Sequence, residues 1–330
     1  MATMKFFRRR LLHAAVLIVA ISFFTFLLLE LAPGDFFEAM RLNPQISEQT
    51  VSGLRSEYGM DRPLLIRYER WVRSIFKGGW GFSFAYNSPV APLLRVRARN
   101  TLLLTSLSGL LAWIIAIPWG VWSAMKRGRW SDRLTGIATS GLLTVPDLLL
   151  FLLLLLLAVR TGWFPAGGML SPGMDGMGLW TKAKDIAYHL ALPSAALAIT
   201  TLPVLVRHVR SAMADVLESP FLRAARGHGV RPRRLILRYA LPVAANPLIS
   251  LFGLSVATLL SGSLLVEVVF GWPGLGPLLV ESMLARDVYV VVGVVMLSSV
   301  FLILGNLLAD VLLFLNDPRI RTEGWSGREV

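Results

Sequence analysis

FLRAARGHGVRPRRLILRYALP, residues 221–242, is a basic, glycine-punctuated stretch set between two long apolar runs. Ser219 suits the position that caps a helix, and Pro220 suits its first turn, where a missing N–H costs nothing. Gly227 or Gly229 can end that helix, and Pro232 can begin the next. The spacing predicts a helix of roughly eight to ten residues, about 12–15 Å long. Phe221, Ala224 and Ala225 share one face by i, i+3, i+4 spacing, with Leu222 beside them. The two alanines let a second backbone approach closely, and Phe221 offers a knob for a pocket. Arg223, Arg226, Arg231, Arg233 and Arg234 surround that face. Residue chemistry alone leaves two readings open: a docking element for another protein, or a solvated basic loop touching lipid headgroups.

The rest of the chain sets the class. Mean hydropathy is +0.63, and 55% of residues are hydrophobic while 16% are charged, against about 25% charged in an average soluble domain. Such a chain cannot hide its apolar surface in one soluble core, so an all-α integral membrane protein in a lipid bilayer is expected. The net charge of +13 does not imply nucleic acid. The basic residues sit mostly at the ends of apolar runs and form no patch with base-stacking aromatics. The absence of cysteine excludes disulfides and thiolate metal sites. His13, His189, His208 and His228 are scattered, with no i, i+4 histidine pair and no His/carboxylate cluster, so no metal site is expected.

A bilayer core of ~30 Å needs about 20 helical residues. Six runs meet that length: 11–32, 101–124 with Pro118 inside, 134–159, 187–206 broken early by Pro193, 244–266 and 288–315. The basic KFFRRR prefix of the first run mimics a secretory signal. That run exceeds an h-region of about 7–15 residues and no A-x-A site follows, so it reads as an uncleaved span. Lysines and arginines cluster in the N-terminus (Lys5, Arg8, Arg9, Arg10), the 126–133 loop, the 207–238 segment and the tail (Arg319, Arg321, Arg328). With six spans all four clusters lie on one side, which places both termini in the cytoplasm. Three parts are expected: residues 1–98 (first span plus an extracytoplasmic segment), 99–315 (five spans) and a tail at 316–330. In the extracytoplasmic segment Leu64, Tyr68, Trp71, Val72, Ile75 and Phe76 recur at helical spacing after Pro63. Such a helix lies on the bilayer or packs on the other spans, or docks an extracytoplasmic partner, and the two roles are compatible.

Arg223, Ala224, Ala225, three further residues, Gly229, nine residues and then Tyr239, Ala240, Leu241, Pro242 resemble the EAA loop of ABC importer permeases, E-A-A-x3-G-x9-I-x-L-P. Arg223 stands for the Glu and Tyr239 for the Ile. LAPGD (31–35), GMDRPL (59–64), AIPWGVWSAMKRG (116–128), FPAGG (164–168), HLALPS (189–194), GSLLVEVVFGWPGLG (262–276) and DPRIR (317–321) resemble, in order, the dipeptide/oligopeptide branch of that family. One departure is Asp147, where the branch usually shows apolar or aromatic surroundings. The resemblance implies a type I ABC importer transmembrane fold in the bacterial inner membrane. It implies a second homologous permease, two ATPase subunits that bind ATP and Mg, and an extracytoplasmic substrate-binding protein. It also implies that Phe221, Leu222, Arg223, Ala224, Ala225, Arg226, Gly229, Leu241 and Pro242 couple the chain to an ATPase. The chain itself has no G-x4-G-K-[ST] phosphate cradle, so it is expected to hold no cofactor and to be no enzyme.

Charges inside spans are costly, about 2.5–3.5 kcal/mol on insertion scales, and usually face a cavity or partner. Asp147 lies mid-way along the third run, and Pro146 before it is expected to free the carbonyl of Leu142. Carboxylate and carbonyl together would receive an ammonium group; an interhelical hydrogen bond is the other reading. Glu267 suits an external gate or the interface, Glu30 the interface, and Asp310 with Asn306 helix packing. The expected function is the permease subunit of an ATP-driven importer of di- or oligopeptides, with nickel chelate, haem or glutathione as other cargoes of the same branch. An ion-coupled secondary transporter would need a complete alternating-access unit in one chain, and no inverted repeat is evident. A membrane enzyme would need a clustered catalytic set that the spans lack.

Overall fold

Where lipid surrounds the backbone, every N–H and C=O must be satisfied within its own segment, and the apolar runs accordingly form helices. A computed structural model describes residues 2–32, 34, 36–41 and 47–316. Pro33 and Asp35 of the LAPGD motif, the DPRIR motif and the tail 317–330 lie outside the described residues. The helices are α1 (Ala2–Leu31), α2 (Phe36–Arg41), α3 (Glu48–Glu57), α4 (Leu64–Phe76), α5 (Val90–Met125), α6 (Trp130–Thr144), α7 (Asp147–Thr161), α8 (Leu179–Leu217), α9 (Pro220–Gly227), α10 (Pro232–Arg234), α11 (Leu241–Val269), α12 (Leu275–Leu284) and α13 (Val288–Asn316). A π-helical turn, Leu235–Ala240, joins α10 to α11 without a break. A two-residue hairpin pairs β1 (Phe82–Ser83) with β2 (Ser88–Pro89). Among the described residues five helical stretches are long and apolar enough to cross a membrane, and α6 with α7 makes a sixth span if that pair is counted as one.

The third run departs from the expectation of a straight helix. Its two halves meet at 93°. Pro146 forces the residue before it out of the helical region, and Val145 sits at φ −78°, ψ 121°. The Val145 N–H bonds the Leu142 carbonyl at 3.3 Å, so that carbonyl is not the free acceptor expected. Asp147 thus opens a helix and is not a mid-helix residue. The prolines at 118 and 193 behave in the opposite way: both lie inside unbroken helices. Neighbouring helices hold such segments in place where no water competes for the freed carbonyl. The fifth span likewise begins at Pro232, well before the apolar run that marked it.

The chain folds into two compact units. Of the described residues, the first comprises 2–10, 102–272 and 302–316, and the second those within 11–101 and 273–301. The core of the first unit contains Leu104, Phe151, Leu197, Val266, Phe270 and Trp272. In the second, Trp71 of α4 packs with Phe26, Val292 and Met296, and Tyr68, Val72 and Ile75 lie against that cluster. Phe76, expected on the same face, is 87% exposed. Arg67 of α4 pairs with Glu30, which gives the supposedly interfacial Glu30 a partner. Buried Asp287 accepts from Ser83 Oγ at 2.6 Å and from the Ala85 N–H at 3.2 Å, which ties the hairpin to the start of α13. Burial pushes the Asp287 carboxyl above the usual carboxylate range.

Candidate functional site

Helix α9 is closed at both ends by its own residues. Ser219 Oγ accepts from the Leu222 N–H at 3.4 Å, and Pro220 occupies the first turn. At the other end the Gly229 N–H bonds the Arg226 carbonyl at 3.0 Å, and the Val230 N–H bonds Ala225 at 3.3 Å. Those two bonds, with Gly229 at φ +76°, form a Schellman motif, for which a left-handed glycine is the favoured residue. The Ser219 bond is long, so Ser219→Ala is expected to cost about 0.5–1 kcal/mol. Hydrogen exchange of the α9 amides should quicken roughly two- to five-fold. Unchanged exchange would mean that Pro220 alone sets the start.

Leu222 corrects one expectation. It is 0% exposed and packs among Ala124, Val209, Met213, Leu235 and Ala244 of its own unit. Ala225, three residues on, is half-buried against the same cluster. These two residues anchor α9 and leave a different outward face from the one expected. Phe221, Arg223, Ala224 and Arg226 are exposed. The Phe221 ring lies 6.1 Å from Tyr239, the residue that replaces the family isoleucine. Leu241 is half-buried and Pro242 exposed. One cleft lies just past the C-terminal end of α9 and another beside the helix. The first, about 780 Å³, is lined by Arg231, Arg233, Arg234, Arg238 and Tyr239. The other, about 370 Å³, runs beside Arg226 and the Arg127–Glu218 ion pair of 2.6 Å.

Behind α9 stands a clamp that sequence reading missed. Asp132, in the first turn of α6, is 7% exposed. It accepts from Arg210 Nε at 2.5 Å and Nη2 at 2.8 Å, from Ser123 Oγ at 2.8 Å and from the Gly128 N–H at 3.0 Å. One carboxylate therefore joins the end of α5, the start of α6 and α8. Arg207, nearly one turn earlier on α8, adds bonds to Thr139 at 3.1 Å and Ser140 at 2.5 Å. Two signals were available: a lone acid in the basic loop 126–133, and arginines flanking an apolar run. A further pair, Arg10–Asp310 at 2.9 Å, links α1 to α13, in keeping with the packing role expected for Asp310.

The proposed path residues do not form one cluster with α9. Pro146 and Asp147 are exposed at the α6–α7 bend. Glu267 is 0% exposed and lies two residues before the end of α11, packed inside its own unit.

Comparison with known proteins bears on all of this. The family model "Binding-protein-dependent transport system inner membrane component" matches residues 116–322, and the N-terminal model of the same kind of component matches residues 3–105. The oligopeptide transport system permease protein AppB of Bacillus subtilis is 35% identical, covering 94% of this chain and 98% of that protein. OppB of Mycobacterium bovis, also an oligopeptide transport system permease protein, is 33% identical over 96% and 99%. The glutathione transport system permease protein GsiC of Salmonella paratyphi A is 33% identical over 95% and 97%. Among solved structures, a chain of the inward-facing MetNI methionine ABC transporter superposes with a TM-score of 0.55 at 20% identity, covering 68% of this chain and 96% of that one. That last likeness concerns the fold: a type I ABC importer transmembrane domain.

Proposed function

The chain belongs to the family of binding-protein-dependent transport system inner-membrane components, and from that premise we propose that it carries peptides across the membrane together with a second homologous permease. As a multi-pass inner-membrane permease subunit it works with ATPase and substrate-binding partners. Membership of that family sets aside the secondary-transporter and enzyme readings. The proposed cargo is a di- or oligopeptide, supported by the full-length likeness to oligopeptide permeases. Glutathione, itself a tripeptide, stays within that class on the strength of the GsiC likeness. ATP and Mg belong to two partner ATPases, and both termini are cytoplasmic.

In this reading α9 is the coupling helix. Its supporting observation is a short helix capped at both ends, anchored by Leu222 and presenting Phe221 and Ala224 outward. Asp147 stays a path residue, now for a different reason: it is exposed at a bend between two half-length helices.

Vesicles holding the four membrane subunits and the binding protein should take up labelled tripeptides on adding ATP. Uptake driven by an ion gradient without ATP would refute the reading. If Asp147 meets a peptide ammonium, Asp147→Asn should lower uptake of free tripeptides relative to N-acetylated ones. The effect is roughly 10- to 100-fold at most, the worth of one charge-assisted bond of about 1.5–3 kcal/mol. Equal ratios in parent and variant would remove Asp147 from the path.

A further inference from the structure

The unit formed by residues 11–101 and 273–301 contains a cavity of about 230 Å³ for which the transport reading assigns no role. Arg67, Arg70, Trp71 and Ser74 line one wall at i, i+3, i+4 and i+7 of α4. Tyr58, Phe82 and Tyr289 line the rest. The close approach of the hairpin to α13 depends on Gly81 at φ +93°, where a Cβ would fall 2.7 Å from the Tyr289 ring. Asp287, already seen bonding the hairpin, fixes both of those walls.

The chemistry of this space is specific. Arg67 is only 8% exposed. Its Nη1 donates to the Met60 carbonyl at 3.2 Å and its Nη2 pairs with Glu30. Its Nε–H, fully buried, has no acceptor among the described residues. An unmet buried donor costs about 1–3 kcal/mol, more when charged, and calls for an explanation. Arg70 adds a second guanidinium to the same wall. Tyr58 and Phe82 stack at 5.5 Å and 21°. The Trp71 indole N–H is already bonded to the Trp80 carbonyl at 3.1 Å, so its ring offers apolar surface. Cationic donors beside flat apolar walls suit a carboxylate carried on an apolar body.

We propose that this cavity binds the C-terminal residue of a peptide. The carboxylate sits on Arg70 and, as the Arg67 side chain shifts to open its Nε–H to the cavity, on Arg67, while the terminal side chain lies against the aromatic rings. At about 230 Å³ the space falls below the ~300–1,000 Å³ of sites that enclose a whole drug-sized ligand. It therefore takes one residue and reads a chain end. The peptide as source of the carboxylate rests on the transport reading; the carboxylate site itself does not.

The test uses the assembled complex in lipid nanodiscs, titrated with N-acetyl-L-phenylalanine and with its amide, and read by saturation-transfer NMR. The acid should bind at least tenfold more tightly than the amide. Arg70→Gln should weaken the acid about tenfold and leave the melting midpoint unchanged. Arg67→Lys, which keeps the charge beside Glu30 and removes the Nε donor, should weaken the acid likewise, with some loss of melting midpoint from the Met60 bond. Equal binding of acid and amide, or an unaltered Arg70→Gln, overturns the site. Tighter binding of N-acetyl-aspartic acid 1-amide would reassign it to an acidic side chain of a docking protein and overturn the chain-end assignment. ATP-driven tripeptide uptake without acid-selective binding sinks this proposal and leaves the transport reading. Acid-selective binding without peptide uptake does the reverse.

Discussion

Replacing Asp132 by alanine is expected to destabilise the first unit by about 3 kcal/mol, the lower end of the range for breaking a buried ion pair. The lower end applies because Arg210 keeps 35% of its side-chain exposure and can be partly rehydrated. Four bonds are lost at once, and Ser123 Oγ and the Gly128 N–H lose their acceptor as Arg210 loses its counter-charge. The melting midpoint of the purified complex should fall by several degrees. Asp132→Asn keeps one of the two acceptor oxygens, enough for Ser123 Oγ or the Gly128 N–H but not for both, so it should cost less than alanine and still destabilise. Asp132→Ala combined with Arg210→Leu should recover part of the loss, because no uncompensated charge remains. A single Asp132→Ala variant that melts with the parent would show that water already replaces these bonds.

Ala224→Glu should abolish coupled transport while leaving the fold intact. Ala224 is exposed and belongs to the outward face of α9. If an ATPase packs there, an unpaired carboxylate in the contact costs about 2 kcal/mol or more, a loss of roughly 30-fold or greater in productive assembly. Ala225, the more obvious choice from the EAA pattern, is the poorer probe, since its half-buried side chain packs on its own unit. Gly229→Val approaches the same question through the backbone. No atom lies within 4 Å of a Cβ at that position. The penalty is therefore conformational, about 1–2 kcal/mol for a left-handed residue and more for a β-branched one. Both variants should reach the membrane in normal amounts and fail in ATP-driven uptake. Parent-level uptake by both would remove α9 from the coupling role.

The sequence made some of this plain and hid the rest for identifiable reasons. Ser219, Pro220 and Gly229 spelled the limits of α9 because capping chemistry is local. Long apolar runs marked the spans because lipid leaves the backbone few options. Prolines did not read alike. Pro146 ends a helix and Pro193 does not, since the outcome depends on what packs around the freed carbonyl. The inward turn of Leu222, the clamp on Asp132 and the burial of Glu267 all come from partners many residues away. Periodicity within one segment carries no record of them.

Helix α8 has a mechanical consequence. Its 39 residues run without a break past Pro193 and Pro203, a rod of about 58 Å where the bilayer core is only about 30 Å thick. The rod is clamped to α6 near one end, beside the core into which Leu222 is plugged. If α9 is the coupling helix proposed above, a push on it would reach a continuous helix and not a loop. Pivoting that lever by about 5° would swing its far tip by about 5 Å, roughly the pitch of one helical turn. Torque applied at one end would then appear as displacement at the other, reduced by whatever bending Pro193 and Pro203 admit.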